Sequence, residues 1–486
     1  MDIKDVLNIP DILQFEVKAN IEINGIQYDS RKVMPGNIFF AVRGYETDGH
    51  KYIEQAVNNG AVCIVCEEEP SIKIPFVIVA NSRRALALAA CNFYEHPSSK
   101  MTMIGITGTN GKTSCTYLIK NIIERLSGAK VGLIGTIGNL IGNEPVSSEH
   151  TTPESSDLQG LLYKMSEEGC EYLVMEVSSH ALALERVLGI NFDVGVFTNL
   201  SQDHLDFHSD MNEYAEAKTL LFERSKLSII NFDDSYAKLM ADHACGKLLS
   251  LSLYNDKADF YVKSYGLHPN SVEYKLIHAN NFYDIEINIP GVFSVYNSLI
   301  TFAVGIALGF NGDELADAIK LSDNIKGRAE SLETDGDYHV FIDYAHTPDA
   351  LLNIINALKE GAKGRVVVLF GCGGDRDRKK RPQMGRIASE NADFCIVTSD
   401  NPRTEKPEDI IADILEGISE ENKQKIEVIC NREEAIEWAI ENHHPEDIIV
   451  LAGKGHETYQ IVGKVKRHMD EREIVRDIIE KRGLFV

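Results

Sequence analysis

Short apolar runs that end in polar, often glycine-containing clusters alternate along this chain with stretches whose apolar residues recur every three or four positions. A run from Met101 to Ile106 leads through a glycine-rich turn into Cys115, Leu118, Ile119, Ile122, Ile123 and Leu126, a pattern that predicts strand, loop and helix. Further strands are predicted at 172–177 and 192–198, each closing in a polar cluster. In doubly wound sheets such strand ends are where ligands bind. From residue 338 the alternation becomes regular, with strands predicted at 338–342, 366–370, 394–398 and 448–451 and a helix at 407–418.

Two polar stretches, Glu95–Lys100 and Glu333–Asp337, punctuate this pattern. They divide the chain into expected domains at 1–98, 99–332 and 333–486. The fold class read from this is α/β with three domains: a small N-terminal α/β domain, a central P-loop-type domain on a parallel sheet, and a C-terminal Rossmann-like α/β domain. Within the first, a helix is predicted over 83–94, but the strand order is not legible.

Composition narrows the class. The 486 residues leave room for about three cores. A hydrophobic share of 44% and a charged share of 25% fit a globular chain rather than a disordered one. Lys plus Arg number 49 against 74 Asp plus Glu, a formal net charge of -25 that repels nucleic acid and anionic membranes. An anionic ligand therefore needs cations placed locally. The first ten residues carry no signal-peptide pattern, and no run approaches the ~18 apolar residues of a membrane span, so a cytoplasmic protein is expected. Nine cysteines scattered through apolar segments read as reduced structural thiols.

The strongest chemical signal is Gly105-Ile106-Thr107-Gly108-Thr109-Asn110-Gly111-Lys112-Thr113, between a predicted strand and a helix. Backbone N–H groups of such a loop cradle phosphates; Lys112 reaches the β and γ phosphates, and Thr113 can ligate Mg2+. Glu176 ends the next strand and reads as the carboxylate partner of that metal. His204 and His208 stand four apart, but Leu205 occupies the glutamate position of a zinc hydrolase, which argues against that chemistry. Lys218, on a helical pattern, reads from the residues alone as a solvated lysine.

The segment from Thr107 to Thr113 resembles the ATP loop of the Mur ligases, the amino-acid-adding enzymes of peptidoglycan precursor synthesis, and the likeness extends over essentially the whole chain. It implies ATP binding by Gly108, Thr109, Asn110, Gly111, Lys112 and Thr113, closed over by Asn297, Arg328 and Asp343. It implies two Mg2+ sites that draw on Thr113, Glu176, His204 and a Lys218 carbamylated by CO2, with Lys112, Glu176, His204 and Lys218 as the catalytic set. His208 is expected to be a polar loop residue. The stretch 29–36 is similar to the family's uridine-nucleotide segment, so Ser30 is expected at the UDP sugar. His150, Thr151, Thr152, Ser178 and Arg186 resemble the muramoyl-peptide contacts, and Leu184 stands where some relatives carry Gln.

In the C-terminal domain, Asp400-Asn401-Pro402-Arg403, with Arg376 upstream and Gly453 and Glu457 downstream, resembles the signature of the diaminopimelate-adding members. An arginine pairs a carboxylate through two parallel hydrogen bonds, and Glu457 can take an ammonium. The resemblance implies ATP-dependent addition of meso-diaminopimelate to UDP-N-acetylmuramoyl-L-alanyl-D-glutamate through an acyl phosphate, by a monomer that binds neither nucleic acid nor membrane. L-lysine addition, folate polyglutamylation and a P-loop ATPase switch are the competing readings.

Overall fold

The computed structural model describes every residue except 18, 19, 45, 46, 147–150, 204–206, 323 and 484–486. The chain packs into two compact units, residues 1–261 with 303–311, and residues 262–302 with 312–486.

The first unit opens with a five-stranded sheet in the order Ile12–Glu16, Phe76–Val79, Cys63–Cys66, Asn37–Phe40 and Gly25–Gln27. Only its outermost pair, 12–16 with 76–79, is antiparallel. The helix Ser82–Phe93 begins one residue before the predicted start because the Asn81 side chain accepts the Arg84 N–H and caps it. Its alanine- and leucine-rich face packs with Ile38, Phe40, Val65 and Val77.

A larger sheet follows in the same unit. Its parallel strands run Lys247–Ser252, Ser225–Asn231, Phe192–Phe197, Thr102–Thr107, Tyr172–Glu176 and Val131–Ile134, and the antiparallel strands Asn139–Ile141 and Glu144–Val146 extend the last edge. A parallel sheet covered on both faces needs strands that are apolar throughout, which is why these read as continuous runs. The 102–107 strand is flanked by 172–176 and 192–197, with Glu176 opposite Ile106 and Phe197 opposite Thr107. Three carboxyl ends therefore meet at one edge, and the glycine-rich loop leaves from the middle one. Gly111, at φ +85°, turns the chain into the helix Lys112–Ser127, which buries Cys115, Leu118, Ile119, Ile122 and Ile123.

In the second unit, Val272–His278 and Asn281–Ile287 pair as an antiparallel hairpin. A six-stranded sheet runs Glu330–Leu332, His339–Asp343, Ile448–Ala452, Val366–Phe370, Phe394–Val397 and Ile426–Val428, parallel except at its first edge. The helices Pro348–Lys359, Lys380–Asn391, Pro407–Leu415 and Arg432–Glu441 alternate with these strands. A separate ribbon, Tyr459–Val462 with Val465–His468, follows the last central strand. All nine cysteines are free, and only Cys245 and Cys430 are not buried.

Candidate active site

The glycine-rich loop is held from the strand end beside it. The Thr109 N–H donates to the Asn199 carbonyl at 2.8 Å, and the Asn110 N–H donates to Asn199 Oδ1 at 2.9 Å. Thr198 Oγ1 donates to the Asn110 carbonyl at 2.7 Å. Gly108 has φ +146°, and a Cβ there would sit 1.9 Å from Thr198 Oγ1, so no other residue fits.

Glu176 is buried at the end of its strand and accepts three hydrogen bonds. Its Oε1 accepts from Thr113 Oγ1 at 3.0 Å and from the Thr136 N–H at 2.8 Å, while Oε2 accepts from Thr136 Oγ1 at 3.0 Å. The sequence reading missed Thr136, since it lies just past the neighbouring strand Val131–Ile134 and carries no motif. The Thr113 hydroxyl and the Glu176 carboxylate thus face each other at the start of the helix. Among the described residues no cluster of three or more His, Cys, Asp or Glu side chains is gathered for a metal. His204 and His150 lie outside the described residues.

Lys218 corrects the reading of a solvated lysine: it is 1% exposed. The helix Met211–Phe222, capped by Asp210, turns it inward with Tyr214, Ala215 and Leu221. Its Nζ donates to the Gly108 carbonyl at 3.0 Å and lies 4.4 Å from the centre of the Tyr214 ring. Burial, and then the charge of Lys112, hold this amine well below the ordinary lysine range, with Asp203 opposing. His208 is likewise no open loop residue. It is buried, its Nε2 is 3.0 Å from Ser179 Oγ, and its ring packs among Phe207, His180 and Tyr214.

The structure gathers the residues expected at the muramoyl peptide. Thr152 Oγ1 donates to the Glu176 carbonyl at 2.9 Å and lies 3.4 Å from Ser178 Oγ; Arg186 Nη1 donates to the Thr152 carbonyl at 3.0 Å. Thr151 Oγ1 is 3.1 Å from Thr136 Oγ1. Ser30 lies in a cavity of about 460 Å³ lined by Tyr28, Tyr52, Arg83, Leu86 and Glu154. Glu154 connects this cavity to the peptide residues, because its Oε2 pairs with Arg83 at 2.8 Å and with Arg186 at 3.5 Å. Nothing in the sequence pattern singled it out.

In the second unit, Asn297 is buried on the helix Val292–Ala307. Asp343 accepts the Ala329 and Ala345 N–H groups, each at 2.8 Å, and the Arg328 guanidinium lies 5.1 Å from the Tyr344 ring centre. Burial pushes the Asp343 carboxyl up, and Arg328 pulls it back.

Asp400, Asn401 and Pro402 are buried after the strand Phe394–Val397. Gly453, at φ +110°, brings its Cα so near that a Cβ would meet Asp400 Oδ2 at 2.9 Å. Asn401 Nδ2 donates to Glu457 Oε2 at 2.9 Å. Arg403 has φ +51°, and its Nη1 donates to the Gly374 carbonyl at 2.8 Å. Arg376 is exposed, its Nη1 3.2 Å from the Asp375 carbonyl. Two unforeseen groups brace these loops. Arg381, fully buried, forms a fork with Glu405 (2.8 and 2.9 Å) and reaches Asp413 at 2.8 Å. Glu405 in turn takes the Asp375 N–H at 2.5 Å.

Three segments match models of one family: 22–94 (Mur ligase family, catalytic domain), 106–305 (Mur ligase middle domain) and 327–455 (Mur ligase, glutamate ligase domain). A UDP-N-acetylmuramoyl-L-alanyl-D-glutamate--2,6-diaminopimelate ligase of Caldanaerobacter subterraneus subsp. tengcongensis is 49% identical, covering 96% of this chain and 97% of the relative. The enzyme of the same name from Clostridioides difficile is 44% identical over 99% of this chain and 100% of its own. A solved structure of a ligase of that name superposes with a TM-score of 0.74 at 32% identity, covering 99% of each chain. Because the three family segments follow one another in order and the likeness runs nearly from end to end, this chain belongs to the Mur ligase family.

Proposed function

We propose that this protein is the ATP-dependent ligase that joins meso-diaminopimelate to UDP-N-acetylmuramoyl-L-alanyl-D-glutamate, in cytoplasmic peptidoglycan precursor synthesis, as a monomer. The observation that carries the reading is the Glu176–Thr113 contact at the head of the glycine-rich loop, in a chain whose near-full-length relatives bear that ligase's name. Residues 1–98 would hold the uridine nucleotide, 99–332 the ATP, and 333–486 the amino acid.

The backbone N–H groups of 108–113, at the start of a helix, would bind phosphate oxygens, and Lys112 would supply a cation among them. Thr113 Oγ1 and the Glu176 carboxylate fit a magnesium ion, a hard cation that takes oxygen ligands, keeps waters and neutralises charge on transferred phosphoryl oxygens. His204 and a carbamylated Lys218 would serve a second such ion. A carbamate needs a neutral amine to start from, and the burial of Lys218 beside Lys112 favours the neutral form. Thr151, Thr152, Ser178 and Arg186 would orient the peptide so that the D-glutamyl carboxylate attacks the γ-phosphate, breaking the β,γ-anhydride and releasing ADP. The acyl phosphate is then displaced by the diaminopimelate amine, releasing phosphate.

Asn297, Arg328 and Asp343 would complete the ATP site. Arg376, Asp400, Asn401, Pro402, Arg403, Gly453 and Glu457 would form the amino-acid site, with Arg403 taking a carboxylate and Glu457 an ammonium. Phosphate release is the test, measured with ATP and the UDP-muramoyl dipeptide and with meso-diaminopimelate, L-lysine or no amino acid. Release should depend on meso-diaminopimelate. Equal release without any amino acid would overturn the proposal in favour of a plain ATPase.

A further inference from the structure

One charged group in the loop after the strand Ile448–Ala452 has no part in the chemistry above. Lys454 is fully buried, a costly place for an ammonium unless each of its hydrogens is taken. All three are: Nζ donates to Asn401 Oδ1 at 2.8 Å, to Glu457 Oε2 at 3.2 Å and to the Tyr459 carbonyl at 2.6 Å.

An ammonium has three donors and no acceptor, so the Asn401 atom that faces it must be the oxygen. The Ile461 N–H donates to that same Oδ1 at 2.8 Å. The amide nitrogen is thereby turned toward Glu457, where it donates to Oε2 at 2.9 Å. That donation uses one of its two hydrogens. Glu457 Oε2 receives both Lys454 and Asn401, and a carboxylate with about four lone-pair sites still has acceptor capacity for a ligand. The strand Tyr459–Val462 backs the whole arrangement: Gln460 Nε2 donates to the Asp400 carbonyl at 2.7 Å, and the Arg403 N–H donates to the Ile461 carbonyl at 3.1 Å.

We propose that Lys454 is a positioning residue that sets the polarity of the Asn401–Glu457 pair, so that the amide offers a donor and the carboxylate an acceptor to a zwitterionic α-amino-acid head group. Such a head group carries a carboxylate and an ammonium on one carbon. A lone alkylammonium uses only half of the pair. The inference rests on the amino-acid site proposed above and names what orients it.

Without the lysine, the Asn401 amide is held by the Ile461 N–H and the Glu457 carboxylate alone, and Glu457 loses its internal cation. In Lys454→Met the KM for meso-diaminopimelate should rise roughly 10- to 100-fold, the range that follows from an unpaired buried acceptor. At saturating amino acid kcat should stay within about threefold, as expected when ground-state and transition-state binding are lost together. The KM values for ATP and the UDP-muramoyl dipeptide should not move, and the preference for meso-diaminopimelate over L-lysine should narrow. Lys454→Gln, which keeps N–H donors on a shorter stem, should fall between the two and carries the test if the methionine variant does not fold. An unchanged amino-acid KM in a folded variant, or an equal rise for all three substrates, overturns the role of Lys454. If the unsubstituted enzyme itself forms no amide bond with meso-diaminopimelate, it is the underlying function that fails.

Discussion

Lys112 and Lys218 share one acceptor: both amines donate to the carbonyl oxygen of Gly108, at 2.9 and 3.0 Å. Two ammonium groups on one carbonyl repel each other, and the buried one gives up its proton at less cost because it is the one without water. Lys112, partly exposed, also donates to the Thr109 carbonyl at 2.8 Å.

Activity should therefore depend on dissolved CO2. In bicarbonate-depleted buffer, phosphate release should fall, and added bicarbonate should restore it; Lys218→Ala should be inactive with or without bicarbonate. The amine also shapes stability. Its folded pKa lies below the ordinary 10.5, so between the two values the unfolded chain binds the extra proton and stability rises with pH. In CO2-free buffer the melting temperature of Lys218→Met should depend less steeply on pH below about 10 than that of the wild type. Parallel curves would show that the amine is charged in the fold.

Glu176→Ala and Lys112→Ala should each lower kcat by at least roughly 10²- to 10³-fold, the scale of removing one preorganised electrostatic partner. Glu176→Ala also removes the acceptor of the Thr136 N–H and hydroxyl, so its melting temperature should drop, whereas Lys112→Ala should melt near the wild type. Wild-type phosphate release in either variant would refute the loop assignment.

Amino-acid choice should run through Arg403. Meso-diaminopimelate differs from L-lysine by one carboxylate, and a site built around a polar group can reject the analogue lacking it by on the order of 10⁴ to 10⁵. Arg403→Ala should lose most diaminopimelate turnover and bring the two kcat/KM values together, with ATP affinity unchanged in a binding titration. Comparable wild-type kcat/KM values for both amino acids would rule out this role.

Arg381 should matter for stability, and in a pH-dependent way. Removing one partner of a buried ion pair costs about 3 kcal/mol, so Arg381→Met should lower the urea midpoint accordingly. Its fork holds the Glu405 carboxyl at about 2 instead of 4.5. A depressed carboxylate contributes stability that is complete above the unfolded value and is lost as pH falls through the folded one. The gap between wild type and Arg381→Met should thus be constant above pH 5 or so and shrink between 4.5 and about 2. A gap that does not change with pH would mean that the pair is not linked to titration.

The central strand, the glycine-rich loop and its helix are legible in the sequence, because a glycine-rich strand-to-helix turn is made by the backbone of neighbouring residues. The strands of the C-terminal sheet were legible for a similar reason: runs such as Val366–Phe370 are apolar throughout only when both faces are covered. Boundaries that depend on caps, such as the start of the helix at Ser82, shifted by one residue. The strand order of the N-terminal sheet was not legible, since it sets 12–16 beside 76–79, and no local pattern pairs segments that far apart.

The apolar run 172–177 and its polar close put Glu176 at a strand end, which is where it stands, whereas the reading of Arg403 rested on the family resemblance. The sequence could not decide the state of Lys218, which a helical pattern presents as one more solvated lysine. The tertiary fold sets that amine against a carbonyl 110 residues away and removes its water. Lys454 is the converse case, a lysine in a recognisable motif that becomes an orienting group only once Asn401, 53 residues earlier, is brought to its ammonium. Periodicity and turn chemistry reside in adjacent residues and can be read along the chain; charge state and hydrogen-bond polarity depend on burial and on partners that only the folded chain brings together.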